Sequence, residues 1–267
     1  MNKASIAAAP FAALGRNVIH LINELGGVFC FFVLGMAKIF SFPFQVYKIT
    51  QQVYFIGVKS IFVISLIGLF TGMVLGLQGY YTLVKFGSEG LLGAAVSLSI
   101  IRELGPVLTA IMITGRAGSS MAAELGIMRI SEQIDALVTM DIDPMRFLIA
   151  PRFAAAIISF PLLTALFDVI GIMGGYVSGV LLLGVNPGTY FSRIDASVEL
   201  ADVTGGFAKS LVFAVLVAAV SCYEGYFTHT RPGGFGAKGV SLATTSAVVL
   251  SCVCVLISDY VLTSFLL

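Results

Sequence analysis

The sequence predicts an all-α polytopic membrane protein: an N-terminal interfacial helix and hairpin, five transmembrane helices, and a cytoplasmic coupling helix between the first and second pairs of spans. Three observations predict it. Of the 267 residues 58% are hydrophobic and only 11% charged, against about 25% charged in a soluble domain, and the mean hydropathy is +1.01. Five apolar stretches are long enough to cross a hydrocarbon core of about 30 Å. Lysine and arginine gather in alternate connecting segments.

The same composition excludes several classes. A net charge of +1 provides no field to attract nucleic acid. Cys30, Cys222, Cys252 and Cys254 lie in apolar runs without a CxxC pair, and His20 and His229 are the only histidines, so the cysteines read as small hydrophobes rather than metal ligands. Tryptophan is absent, which leaves tyrosine to form any aromatic belt.

Residues 1–50 are predicted to lie on the membrane. Within 6–25, Leu14, Val18, Leu21, Ile22 and Leu25 recur at helical spacing, as in a helix on the membrane face or a cap on a partner. Residues 7–13 are too weakly apolar for a secretion signal, and Arg16, His20 and Glu24 follow where a cleavage region belongs. Residues 26–44 are apolar enough to span, but Lys38 interrupts them and Pro43 closes them. Spanning would put Lys3 and Arg16 opposite Lys48 and Lys59, against the positive-inside rule, so a shallow re-entrant or interfacial hairpin is predicted.

Residues 51–267 form the transmembrane domain, with spans at about 56–78, 91–114, 153–183, 206–228 and 241–265 and a coupling helix at about 119–137. Gly68, Gly72 and Gly76 give the first span a face for close helix approach, within the chain or across a dimer. Its outer end, with Leu75, Gln78, Thr82, Leu83 and Phe86, offers apolar wall and a little polarity, as a lipid pocket requires. The second span carries Arg102 and Glu103 near its middle, where an unpaired charge costs on the order of 2.5–3.5 kcal/mol. Adjacent helical residues point about 100° apart, so each needs another partner; Asp168 suits Arg102 and Lys209 suits Glu103, in a structural ion pair or a lipid site. Pro106 withdraws the donor that would serve the Arg102 carbonyl, which predicts a bend.

Residues 115–120 are small and read as a corner into an amphipathic helix bearing Glu124, Met128, Arg129 and Glu132, candidates for passing force to another protein. The third span contains Pro161, Asp168 and a second glycine repeat at Gly171, Gly175 and Gly179; it is followed by the longest outer loop, 184–205. Lys209 lies near the outer end of the fourth span and Glu224 near its inner end, a glycine-rich loop occupies 230–239, and Asp259 lies near the outer end of the fifth span. Lys3, Arg16, Lys38, Lys48, Lys59, Arg116, Arg129, Arg146, Arg152, Arg231 and Lys238 then fall on one side, with only Lys85 and Arg193 in outer loops, so the N-terminus is predicted inside and the C-terminus outside.

RELGPVLTAIMITGRAGSSMAAELGIMRISEQIDAL at 102–137, GMVLGLQGY at 72–80, DPMRFLIAPR at 143–152 and SFPLLT at 159–164 resemble the MlaE family of ABC-transporter permeases, in the family's order. The likeness runs from about residue 50 to the C-terminus and is looser in the N-terminal hairpin. It implies a permease that moves phospholipids between the inner membrane and an extracytoplasmic MCE-domain carrier, maintaining outer-membrane lipid asymmetry. It further implies a homodimer, a cytoplasmic ATPase pair, an MCE-subunit ring and, in some systems, a STAS-domain subunit. ATP would be used by the partner, with no cofactor on this chain. The lack of a transit peptide favours a bacterial inner-membrane protein with a cytoplasmic N-terminus and a periplasmic C-terminus.

The residues agree in one respect without the likeness. GGFGAKG at 233–239 has the wrong spacing for a phosphate loop, so nucleotide hydrolysis falls to another chain. An ion-coupled transporter or channel using Arg102, Glu103, Asp168 and Glu224 is the alternative, weakened by five spans that give no inverted repeat. An intramembrane enzyme finds no HExxH, GxSxG or paired-aspartate motif.

Overall fold

In hydrocarbon every backbone polar group must be satisfied within the protein, so long apolar runs fold as helices. The computed structural model describes residues 26–39, 45–230 and 233–266, and among them all regular structure is helical. In chain order the helices are α1 (Gly26–Ile39), α2 (Val46–Val84), α3 (Glu89–Ile130), α4 (Gln133–Thr139), α5 (Met145–Leu182), α6 (Pro187–Ser197), α7 (Leu200–Tyr226) and α8 (Gly236–Leu266). Five of them, α2, α3, α5, α7 and α8, are long and apolar enough to cross a membrane, as the sequence predicts.

The two glycine repeats meet each other. An added Cβ on Gly72 would overlap the carbonyl oxygen of Gly171; one on Gly68 would lie 3.1 Å from the carbonyl oxygen of Phe167, and one on Gly76 3.0 Å from that of Gly175. The pairing advances equally on both helices, so α2 and α5 run parallel with their backbones in contact. Of the two readings of Gly68, Gly72 and Gly76, close packing within the chain is the one seen: all three are buried against α5. Without a hydrophobic drive between helices in lipid, such close approach is what holds α2 to α5. The outward face of α2, with Phe62, Leu66, Phe70, Val74 and Tyr81, is exposed.

The predicted corner at 115–120 is also corrected. The backbone stays right-handed helical at Thr114, Gly118 and Ser119, and α3 runs on for 42 residues. The small residues serve packing instead. Gly118 lies against Ser221 and Val217, Ala122 and Leu125 lie against Gly225, and Gly126 lies against Thr228. The predicted coupling helix is therefore two pieces, the half-buried tail of α3 and the short α4. Its break lies at Ser131–Glu132, where Glu132 takes a left-handed φ of 58°.

α2 also begins earlier than predicted. It tightens into a 3-10 turn at Val58–Ser60, and Arg116 reaches from α3 into that turn, donating to the Phe55 carbonyl at 3.0 Å and to Ser60 Oγ at 2.7 Å. The loop 184–205 is not irregular but holds α6. Asn186 caps it by accepting the Thr189 N–H at 3.1 Å, and Pro187 takes the first position, where no donor is missed. Tyr190 is buried, its hydroxyl donating to the Ile172 carbonyl at 3.0 Å, and desolvation pushes its pKa up to about 12.

α1 is about 21 Å long and touches one end of the bundle only. Phe31 packs among Tyr223, Tyr226 and Phe227 in the last turns of α7, Gly35 lies against Phe153 near the start of α5, and Lys38 pairs with Asp143 at 2.7 Å. It lies across the helix ends, as the shallow-hairpin reading of 26–44 expects. Burial alone would raise Asp143; the Lys38 hydrogen bond and charge, with the N–H groups of Met145 and Arg146, outweigh it and hold the carboxyl below its ordinary range. The predicted helix at 6–25 and the closing turn at 40–44 lie outside the described residues.

Gly72→Ala places a methyl group against the Gly171 carbonyl and should destabilise the single chain by roughly 1–3 kcal/mol. A lowered unfolding temperature with unchanged oligomeric state in size-exclusion chromatography is the expected result; loss of a dimer from an equally stable chain would return this face to the interface.

Candidate functional site

Five charged residues of the membrane helices, Arg102, Glu103, Asp202, Lys209 and Asp259, converge at one level of α3, α7 and α8. Lys209 is 3% exposed, and its ammonium donates to Glu103 Oε2 at 2.7 Å, to Thr263 Oγ1 at 2.7 Å and to the Arg102 carbonyl oxygen at 2.9 Å. Those three bonds use its three donors. Asp259 Oδ1 is a further neighbour at 3.1 Å, a charge contact without a hydrogen bond. Thr263 passes its own proton to Glu103 Oε1 at 3.1 Å. The bond to the Arg102 carbonyl answers the missing donor: Pro106 has no N–H for that oxygen, and the ammonium provides one.

Arg102 pairs with Asp202, Nε to Oδ1 at 2.6 Å, rather than with Asp168 as expected. The other oxygen of Asp202 accepts the Glu199 N–H at 3.0 Å, closing a capping box at the start of α7. Asp202 thus ties Arg102 to the N-terminus of a membrane helix. The expected pairing of Glu103 with Lys209 is found. Asp202, Asp259 and Thr263 were assigned no role by sequence; the spacing of Glu199 and Asp202 at the head of an apolar run was the available signal.

A π-helical turn at Ile100–Leu104 presents Arg102 and Glu103, and such insertions recur at functional sites. The two border a polar cleft of about 270 Å³ with Glu199, Asp202, Lys209 and Thr263. The cluster runs from the first to the third turn of α7 and lies in the last turns of α8, while α3 continues about 20 Å further to Glu89. Arg102 is 43% exposed there, so its charge reaches the cleft.

The other predicted lipid contacts lie apart from this cleft. Leu75 and Leu83 are half-buried against the core, Gln78 and Thr82 are exposed on the last turns of α2, and Phe86 is exposed just past its end. Asp168 and Glu224 do not join the cluster either. Asp168 lies against Gly105, and Glu224 is four turns along α7 from Lys209, about 22 Å away along the helix. The four charges proposed as a relay are not contiguous.

Residues 49–265 match the family described as permease MlaE. The permease protein MlaE of the intermembrane phospholipid transport system of Haemophilus influenzae is 43% identical over 260 residues, 96% of each chain. This chain belongs to the MlaE permease family. A probable ABC transporter permease protein of Rickettsia typhi is 40% identical over 253 residues, 95% of this chain and 96% of its own. The chloroplastic protein TRIGALACTOSYLDIACYLGLYCEROL 1 of Arabidopsis thaliana is 35% identical over 215 residues, 80% of this chain and 60% of its own.

In this MlaE-family chain the far end of α3 is braced rather than free. Arg129 Nε donates to His229 Nδ1 at 3.0 Å, its Nη1 pairs with Asp135 Oδ1 at 2.7 Å, and its guanidinium lies 5.5 Å from the Tyr226 ring. One side chain, 17% exposed, thereby joins α3, α4 and the end of α7. Of the other docking candidates, Glu124 pairs with the buried Arg152 at 2.9 Å, Met128 is half-buried, and Glu132 stands exposed at the left-handed turn. Ile127, Val138 and Met140 are the exposed apolar residues beside them.

Accepting from Arg129 requires a neutral His229. Burial, then the Arg129 charge, hold its pKa below the ordinary value against the opposing pull of Asp135.

Two outcomes follow from these contacts. Lys209→Met leaves Glu103, Asp259 and a helix carbonyl without their shared partner and should cost about 3–5 kcal/mol, whereas Arg102→Gln, at an exposed pair, should cost about 0–1 kcal/mol; unfolding temperatures of the two variants check the order. For His229 the unfolded chain binds the proton more readily than the folded one. Its contribution is full above the ordinary histidine range and is lost as pH falls from about 8 toward 5. Wild-type protein should lose stability over that range, and His229→Gln should lack that increment.

Proposed function

We propose that this chain is the membrane subunit of an ABC transporter that moves phospholipid between the inner membrane and an extracytoplasmic MCE-domain carrier, so maintaining outer-membrane lipid asymmetry. The observation that carries the reading is the family match over 49–265, together with a relative named for intermembrane phospholipid transport at 43% identity. The site supports it chemically. A cleft of about 270 Å³ with an exposed guanidinium suits a phosphate-bearing headgroup rather than a whole lipid.

The end bearing Arg116, Arg129, Arg146 and Arg152 faces the cytoplasm on charge grounds. That puts α4 and the tail of α3 where a cytoplasmic ATPase pair docks, with Glu132, Val138 and Met140 presented to it. The working unit is a homodimer of this chain with that ATPase pair and an outer MCE ring, with a STAS-domain subunit in some systems. ATP is hydrolysed by the partner. Force on α4 passes through Arg129 to α7, whose other end holds Lys209 and Asp202.

Co-purification of the tagged chain with its bound proteins and lipids, followed by reconstitution, tests this. Glu103→Gln keeps the size of the side chain and one acceptor oxygen but removes its charge. It should assemble normally and move labelled phospholipid at least severalfold more slowly. Wild-type transport by Glu103→Gln, or a chain that purifies without an ATPase and without phospholipid, would overturn the proposal.

A further inference from the structure

α3 and α5 run antiparallel in a register fixed by their contacts. Gly179 lies against Leu92, Gly175 against Val96, Gly171 against Ile100, and Gly105 against Asp168. The first steps are four residues on each helix. The step from Ile100 to Gly105 is five, the extra residue being absorbed by the π-helical turn. An added Cβ on Gly105 would overlap Asp168 Oδ1, so the carboxyl lies directly over that glycine. One turn further on, the same register sets Thr109 opposite Thr164.

These three side chains share a deficit. Thr109 and Thr164 are 0% and 2% exposed, and the Oγ1 of each, like Oδ1 of Asp168, is buried without a hydrogen-bond partner. A helical threonine ordinarily satisfies itself on the carbonyl one turn back, as Thr114 does on Ala110 at 2.7 Å; Thr109 and Thr164 do not. Among the described residues no side-chain cation serves the carboxyl. The α2 segment Ile61–Val84 packed on α5 contains no charged residue. On α3, Arg102 is bound to Asp202 and Glu103 to Lys209; on α7, Lys209 is fully used.

We propose that Asp168, Thr109 and Thr164 form a binding site between α3 and α5 for one monovalent cation, a proton or an alkali ion of sodium's size. Three oxygens from two facing helices, one of them from a carboxyl, are a donor set for a single positive charge. With the charge bound, the carboxyl is neutralised and α3 closes on α5 over Gly105. With it released, the bare carboxylate calls for water, which the closed contact does not admit. Occupancy is thus linked to the α3–α5 contact that also carries the Arg102–Glu103 turn. The inference goes beyond lipid movement and holds whatever the cargo.

The test uses the full-length chain in lipid nanodiscs, with thermal unfolding followed over a pH series and over sodium chloride replaced by choline chloride at constant ionic strength. Relative to Asp168→Asn, which retains the opposite His229 effect, wild-type protein should gain stability with falling pH or with sodium. Asp168→Asn, whose amide needs no counter-charge, should lose that increment. A protonated-carboxyl band in the infrared spectrum that vanishes in Asp168→Asn assigns the charge to a proton; stabilisation by sodium but not choline, without that band, assigns it to the alkali ion. Should Asp168→Asn fail to fold, Thr109→Val and Thr164→Val each remove one oxygen and should raise the half-effective cation concentration about tenfold. An unchanged response to pH and sodium in Asp168→Asn, or in both threonine variants, removes the site. Because unfolding rather than lipid movement is read, a chain that keeps the response but moves no phospholipid would overturn only the transport proposal.

Discussion

The Lys209 ammonium is the interaction on which the membrane part depends. A charge 3% exposed to its surroundings costs several kcal/mol unless each of its donors is met. Here each is met by a different element or group: a carboxylate and a backbone carbonyl on α3, and a hydroxyl on α8. The same atom therefore fixes three helices at one height. It also repairs the defect that Pro106 introduces, since the Arg102 carbonyl would otherwise lack a donor in a place where water is scarce. The proline, the π-helical turn and the lysine form one unit. The turn exposes Arg102 and Glu103 to the cleft, the proline frees a carbonyl, and the lysine binds that carbonyl and the Glu103 carboxylate together.

Around that unit the packing is set by glycine. α2 and α5 touch backbone to backbone along Gly68, Gly72 and Gly171, and α5 meets α3 through the opposite edge of the same repeat, where Val96 faces Gly175 and Leu92 faces Gly179. α5 is thus clasped between α2, which it meets backbone to backbone, and α3, whose Leu92, Val96 and Ile100 side chains fill the space over its glycines. Such a seam tolerates sliding poorly, because moving one residue along brings a Cβ onto a carbonyl. Adjustment is instead available where the contact is polar and incompletely satisfied, at Gly105, Thr109, Thr164 and Asp168.

The fold was legible in the sequence because the bilayer imposes length and apolarity. All five spans were readable from hydropathy alone, and 26–39 forms an apolar helix too short to count among them. Errors arose where one residue type has two uses. Gly115 and Gly118 read as a corner, yet they lie in an unbroken helix, and Gly118 admits α7. Gly68, Gly72 and Gly76 read equally as an intrachain or a dimer face, and a neighbouring span of the same chain fills it. In both cases smallness says that something approaches closely and not what approaches. The site was half legible. The Glu103–Lys209 pair follows from matching depth, whereas Arg102 binds Asp202 because a capping carboxylate has a second oxygen to offer, a fact of helix-start geometry rather than of hydropathy.

The two polar regions of the molecule are joined by one rigid body. α7 begins in the Asp202 capping box, carries Lys209 two turns later, and ends at Tyr226 beneath the Arg129 guanidinium. Twenty-seven residues of uninterrupted helix, about 40 Å, separate the groups that face the cleft from those that hold α4. A displacement of α4 is resisted by Arg129 through both Asp135 and His229, so it loads the end of α7 instead of being absorbed locally. At the far end the load falls on ion pairs, which have alternative partners within reach, Asp259 and Thr263 beside Glu103. Packed apolar contacts have one good arrangement, whereas a cluster with more acceptors than donors has several of similar energy. The charged turn is therefore the place where force on α7 can be converted into a change of shape at the cleft.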